Sequence, residues 1–275
     1  MWSGEKVDLE AYLARTGYAG GEPKPDLATL RELHRAHVAR IPFENLEITL
    51  GRPVPLDLGA LQDKLVRRRR GGYCYEQNSL FAAILERVGF SVTGLAARVL
   101  NGERDKLRPA THMLLLVEID GQRWIIDVGF GGDGPQAPLA LSGGAEVRQG
   151  AWTFSLIREP DDAWVLRTLR PDGWFDLYMF TDHAVFPPDY EVANYYVSTH
   201  PSSPFTSRPV VQRAEPQRRT ALLGTRLQVD HPDGERDVRD IAEHEFGAVL
   251  GRIFGIDLSS EEVEVLRQRY RPISG

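Results

Sequence analysis

The sequence predicts an α+β protein in three consecutive parts: helices over residues 1–90, an antiparallel β meander over 91–187, and mixed helices and strands over 188–275. Three observations carry this reading. Apolar residues recur at helical spacing up to Gly89, the period then shortens to that of strands divided by turn clusters, and helical spacing returns after Pro187.

In the first part Asp26 is a suitable N-cap for a helix over 26–39, on which Leu27, Leu30, Leu33, His34, His37 and Val38 share a side. Asp57 caps another through Leu58, Leu61, Leu65 and Val66, which ends in four arginines at 67–70. Leu80, Phe81, Ile84, Leu85 and Val88 form the apolar side of a third helix, stopped by Gly89, and the stretch 8–16 makes a short fourth. Strands are expected at 91–100, 113–119, 123–128, 152–158, 164–169 and 174–180, all rich in β-branched or aromatic residues. Turns such as Asp120-Gly121 and Pro171-Asp172-Gly173 separate them, and about six such strands make a small barrel or a strongly curved sheet. Beyond Pro187 come a helix near 188–199, strands around 210–213 and 226–230, and helices near 240–253 and 260–270, where Ser259 and Glu262 have capping-box spacing. The Pro/Ser-rich stretch 200–209 reads as a linker or binding loop.

Composition narrows the function. The 275 residues are 42% hydrophobic and 26% charged, enough for a large buried core. A formal net charge of -6 argues against general nucleic-acid binding, because only residues 67–70 offer a basic patch to a polyanion. No apolar run approaches the roughly 20 residues that cross a bilayer. The opening residues Met-Trp-Ser-Gly-Glu-Lys lack the basic and apolar regions of a secretion signal, so a cytoplasmic location is expected. A single Cys excludes an internal disulfide framework and thiolate-rich zinc sites. His34 and His37, three apart on one helix, fit a core or an interface as well as a weak metal pair, and with no further ligand in view no metal is expected.

The stretch Arg70-Gly71-Gly72-Tyr73-Cys74-Tyr75-Glu76-Gln77-Asn78 places the only thiol directly after a glycine pair and at the head of an amphipathic helix. There, unpaired backbone N–H groups and the positive end of the helix dipole stabilise a thiolate. Glu76 in the first turn opposes that effect, so a cationic partner for the sulfur is expected. Of the seven histidines, His183, His200, His231 and His244 stand in polar surroundings. His112 instead opens an apolar strand that turns at Asp120-Gly121, the strongest short-range hairpin signal. With Ile119 facing Gln122, counting back sets His112 opposite Gly129 and makes Asp127 its diagonal neighbour on the same side. A carboxylate so placed holds the imidazole tautomer and stabilises the imidazolium in a nucleophile–histidine–acid set.

These pieces resemble one family. The stretch around Cys74 is similar to the active-site signature of the arylamine N-acetyltransferases. Ile41-Pro42-Phe43-Glu44-Asn45-Leu46, Thr111-His112, Asp127-Val128-Gly129-Phe130-Gly131 and Ser198-Thr199-His200-Pro201-Ser202-Ser203-Pro204-Phe205 follow the family in the same order. The resemblance implies a helical bundle (1–90), a β-barrel (91–187) and an α/β lid (188–275) in a papain-like arrangement. Cys74 is then acylated by acetyl-coenzyme A, His112 is its base and Asp127 orients His112. Thr111, Gly129 and Phe205 become coenzyme contacts, and Phe43, Val99 and Phe130 border the amine pocket. Glu44 and Asn78 become structural partners of the Cys74 loop. The implied acceptor is a small arylamine, hydrazine or arylhydroxylamine, with no metal, nucleic-acid or membrane partner and room for a homodimer. The short connection into the third part resembles the bacterial members.

Other readings of the same residues are a macrolactam-forming amide synthase of that family, a cysteine hydrolase or transglutaminase, and a redox-sensing binder. The match of 129–134 to G-x-G-x-x-G is discounted, because Pro135 and Pro138 stand where a helix would have to begin. The four arginines at 67–70 read as a solvated helix end, whose dipole they complement, or as a phosphate patch.

Overall fold

In the computed structural model, which describes residues 1–269, the chain is an α+β protein with two antiparallel sheets. The first part is helical: α1 (Leu9–Thr16), α2 (Leu27–Arg40), α3 (Leu46–Thr49), α4 (Leu58–Leu61) and α5 (Cys74–Val88). Asp8, Asp26 and Asp57 cap α1, α2 and α4, each accepting the backbone N–H three residues on at 2.8–3.0 Å. The helix expected from Asp57 into the arginines is α-helical for one turn only and continues as a π-helical turn over Gln62–Arg67. Arg15 satisfies carbonyls left free at its end: its Nε donates to the Leu65 carbonyl at 3.0 Å and its NH2 to the Arg69 carbonyl at 3.1 Å.

Eight strands form the central sheet: β2 (Val92–Val99), β3 (His112–Ile119), β4 (Gln122–Ile126), β5 (Leu139–Ala140), β6 (Glu146–Gln149), β7 (Trp152–Arg158), β8 (Trp164–Arg170) and β9 (Gly173–Phe180), in the order β5-β4-β3-β2-β9-β8-β7-β6. Its two ends do not pair, so it is a nearly closed barrel. The β3–β4 ladder keeps the expected register, Ile119 against Gln122, across a turn in which Asp120 and Gly121 both have positive φ, as a type I′ turn demands. The uninterrupted apolar run Met113 to Val117 belongs to a strand buried on both sides. Met113, Leu115 and Val117 join the core under α5, while Leu114 joins the barrel interior with Phe154, Leu166 and Tyr178.

The C-terminal part departs from expectation. After α6 (Pro187–Thr199) come four strands rather than two: β10 (Val210–Glu215), β11 (Arg218–Leu223), β12 (Arg226–Asp230) and β13 (Arg236–Asp240). β13 escaped notice because all five residues are exposed and carry no apolar alternation. Their sheet is completed by β1 (Phe43–Glu44), which crosses over from the helical part to pair with β10. The helix expected near 240–253 is instead a 3-10 turn (Glu243–Glu245), α7 (Phe246–Val249) and a π-helical turn (Leu250–Phe254), in a segment weakened by Gly247 and Gly251. α8 (Ser260–Arg269) has the expected Ser259–Glu262 capping box; residue 270 of the helix expected over 260–270 lies outside the described residues. No helix among those described is long and apolar enough to cross a membrane.

Candidate active site

Local chemistry fixes the thiol. α5 begins at Cys74, and the chain reaches it through Gly71 and Gly72. A Cβ on Gly71 would lie 2.1 Å from the Pro42 carbonyl oxygen, so only glycine allows this loop to pass the β1 segment. Glu76 accepts the Tyr73 N–H at 3.1 Å, the reciprocal half of a cap. Sequence reasoning left its charge uncompensated. In the structure Lys64, buried beneath it, donates to Glu76 Oε1 at 2.7 Å. Lys64 also lies 3.8 Å from Glu44, which pairs with Arg70 at 2.8 Å, and Arg70 reaches Glu47 at 3.2 Å. Burial pushes the Glu76 carboxyl up, and Lys64 opposes it. Glu44 ends below the usual carboxylate range because Lys64 and Arg70 outweigh its burial. The arginine tract thus divides: residues 67–69 are solvated as expected, whereas Arg70 is buried as a counter-ion and is no part of a phosphate patch. Lys64 had a faint signal, three residues after Leu61 on the apolar side of its helix.

A second support runs through the histidines of α2. His37 Nδ1 accepts the Tyr12 hydroxyl at 2.8 Å, His37 Nε2–H donates to Gln77 at 3.1 Å, and Gln77 donates to the Gly72 carbonyl at 2.7 Å. His34 Nε2 donates to the Pro135 carbonyl at 3.2 Å. Both rings are fully buried, and among the described residues no group of three or more His, Cys, Asp or Glu side chains is placed to hold a metal. Burial lowers the His34 pKa to about 4 and that of His37 to about 3. In the unfolded chain both titrate near 6.5, so between that pH and about 3 to 4 the unfolded state binds protons that the folded state refuses, and stability falls with pH. Urea unfolding is expected to lose on the order of 4 kcal/mol between pH 7 and pH 5; equal stability at the two pH values would contradict the neutral burial of both rings.

His112 stands at the head of β3 on the barrel side, paired with Ala97 of β2. The β3–β4 ladder stops at Leu115–Ile126, so the extrapolated pair of His112 with Gly129 does not form. Residues 127–129 leave the sheet toward α5 because Asn78 holds them. Its Nδ2 donates to the Met113 carbonyl at 2.7 Å and to Asp127 Oδ1 at 3.1 Å, and its Oδ1 accepts the Val128 N–H at 3.1 Å. Gly129 is needed here: a Cβ would lie 2.7 Å from the Cys74 Cα. Asp127 Oδ1 also accepts the Gly129 N–H at 2.9 Å, and Oδ2 lies 2.6 Å from His112 Nε2. A carboxylate only accepts, so Nε2 carries the proton and Nδ1 is left for the sulfur. Cys74 lies close enough to His112 for its sulfur to help raise the pKa of the imidazole. The thiol also approaches the Thr111 carbonyl at 3.9 Å. Burial pulls the His112 pKa down, but the charge and hydrogen bond of Asp127, together with Cys74, outweigh it and raise it to about 10. The carboxyl of Asp127 is held low, its burial outweighed by His112, Asn78 and Gly129. The expected cation beside the sulfur is therefore the imidazolium itself.

Aromatic rings hold it in place. Tyr178 packs 5.0 Å from the His112 ring and Phe130 meets it edge-on at 5.2 Å. Tyr178 escaped the sequence reading because it reaches His112 only through the β2–β9 pairing and a bulge at Leu166/Arg167. Cys74 and His112 line a cavity of about 560 Å³, and Phe43, Val99, Thr111, Gly129, Phe130 and Phe205 all line the same cavity. Residues 202–205 form one lip, with the Phe205 ring tilted against that of Phe43 at 5.7 Å and its carbonyl held by Asn45 at 2.8 Å.

A thiol at a helix head, beside an imidazole–carboxylate pair carried by an adjoining barrel, stands here in an enzyme of papain-like fold. The model of the N-acetyltransferase family matches residues 26–263. An arylamine N-acetyltransferase of Mycolicibacterium smegmatis is 38% identical over 273 residues, covering 94% of this chain and 98% of that one. The crystal structure of the Nocardia farcinica arylamine N-acetyltransferase superposes with a TM-score of 0.92 at 49% identity, over 97% of this chain and 95% of that one. The Mycobacterium marinum enzyme, solved in complex with CoA, gives 0.89 at 34% identity over 96% and 99%. The chain belongs to the arylamine N-acetyltransferase family.

Proposed function

We propose that the protein moves an acetyl group from acetyl-coenzyme A to an arylamine, hydrazine or arylhydroxylamine in two half-reactions through acetyl-Cys74. The observation that carries this is the His112–Asp127 pair at 2.6 Å, with Cys74 and His112 facing the same 560 Å³ cavity. Cys74, as thiolate beside the His112 imidazolium, attacks the thioester carbonyl. Backbone N–H groups at the head of α5 stabilise the oxyanion. As the tetrahedral intermediate collapses, the coenzyme A sulfur leaves and takes the imidazolium proton. The amine then attacks acetyl-Cys74, its N–H proton passes to His112 Nδ1, and the Cys74 thiolate leaves. Thioester to thioester is nearly balanced in energy and thioester to amide is downhill, so the second half drives the first.

Phe130 and Tyr178 shield the imidazole from water, which protects the acetyl-enzyme. Phe43, Val99 and Phe130 border the amine, and Thr111, Gly129 and Phe205 contact the coenzyme. A lone catalytic thiol suits a reducing compartment, the cytoplasm. The Mycobacterium marinum complex with CoA supports the choice of acyl donor.

The test is to mix the protein with acetyl-coenzyme A without acceptor and map the adduct by mass spectrometry. One acetyl group on the Cys74 peptide, discharged by an added arylamine, is the expected result. An unmodified Cys74 would point to the amide synthase, and steady acetate release without acceptor to a hydrolase.

A further inference from the structure

We infer that β13 is the contact strand of a symmetric homodimer, in which two copies join their C-terminal sheets edge to edge. Among the described residues β13 is an end strand of its sheet, with nothing paired on its outer side. Internal hydrogen bonds set which backbone groups are free. The Ile241 N–H reaches the Thr225 carbonyl at 2.8 Å and the His231 N–H reaches the Glu235 carbonyl at 2.9 Å. With the ladder register Asp237 against Val229 and Arg239 against Leu227, odd-numbered residues bond inward to β12, so Arg236, Val238 and Asp240 point their N–H and C=O groups outward.

A charged edge ordinarily keeps other strands away. This one, Arg236-Asp237-Val238-Arg239-Asp240, is charge-palindromic. In an antiparallel pair centred on Val238, Arg236 meets Asp240 of the second copy, Asp237 meets Arg239, and the half-exposed Val238 meets itself on the two-fold axis. Moving the centre one residue either way sets Asp237 against Asp237 or Arg239 against Arg239. Charge and backbone thus select the same register, because this pairing sets the outward groups of residues 236, 238 and 240 opposite one another. The present partners of these charges, Asp230, Arg226, His231 and Glu245, form surface pairs that cost little to share. A foreign strand lacking the palindrome would leave them opposed or unmatched.

Five residues a side make a small interface, well under the ~1,000 Å² of stable complexes, so half-dimerisation is expected at about 10–100 μM. Sedimentation equilibrium from micromolar to millimolar protein reads it, in low salt and again at about 1 M salt, where the ion pairs are screened and the dimer weakens. Val238→Pro removes an N–H that the internal ladder does not use. It is expected to weaken association at least tenfold while leaving acetyl transfer and thermal unfolding unchanged. Asp237→Arg should weaken it similarly by opposing Arg239, and Asp237→Arg with Arg239→Asp should restore it. This pair of variants decides the matter if the proline variant folds poorly. A monomer up to about 1 mM, or a dimer indifferent to these substitutions, overturns the inference.

Discussion

Asp127→Asn is expected to lower acetylation of Cys74 by about 10³ to 10⁴-fold without unfolding the protein. The residue is isosteric, so the argument lies in the hydrogen bonds. Oδ1 faces two donors, Asn78 Nδ2–H and the Gly129 N–H. The new amide must keep its oxygen there and turn its NH2 toward His112 Nε2. That nitrogen becomes an acceptor and the ring proton moves to Nδ1, on the side of the sulfur. An imidazole protonated there and deprived of its carboxylate neither takes the thiol proton nor remains a cation. Wild-type His112 has its pKa raised to about 10 and is charged at neutral pH. Alkylation of Cys74 by iodoacetamide in the variant should therefore shift its pH dependence upward, a change that mere loosening of the loop would not produce. An unaltered alkylation profile would separate Asp127 from the chemistry.

The wild-type imidazolium also contributes to stability. Because its folded pKa lies above its unfolded value near 6.5, that contribution is full below pH 6.5 and disappears as pH rises toward 10. The buried neutral histidines of α2 act in the opposite sense on the acid side. Stability should peak near neutrality.

Lys64→Met is expected to cost about 3–5 kcal/mol, because it strands Glu76 and Glu44 as buried carboxylates with one cation, Arg70, between them. For a chain of this size each kcal/mol corresponds to about 2–4 °C, so the melting temperature should fall by about 10 °C. Lys64→Met with Glu76→Gln removes charge from both partners and should recover much of the loss. If the double variant melted no higher than the single one, the penalty would lie in packing rather than in unpaired charge. The loss should reach the active site, since Glu76 accepts the Tyr73 N–H one residue before Cys74.

Much of the site was legible because it is encoded locally. A glycine pair, a helix start and one thiol are neighbours in sequence, and their physics operates over a single turn. The Asp120-Gly121 turn propagates a register over few residues, and the period of two puts His112 and Asp127 on one side. Yet the ladder ends before it reaches them. Their 2.6 Å contact depends on Asn78, a helix residue that draws 127–129 off the sheet.

By itself the sequence determined the succession from helices to an antiparallel meander to mixed elements, the place of Cys74 at a helix head and the common side of His112 and Asp127, because each follows from periodicity or a turn within a few residues. Tertiary structure alone decided that Arg70 is buried while 67–69 are solvated, that Lys64 neutralises Glu76, that Tyr178 braces the imidazole, and that residues 43–44 join the C-terminal sheet. The physical reason is range. Dihedral preference and side-chain period act between neighbours, whereas desolvation and charge pairing depend on which distant segments exclude water from one another, and no single stretch of chain records that.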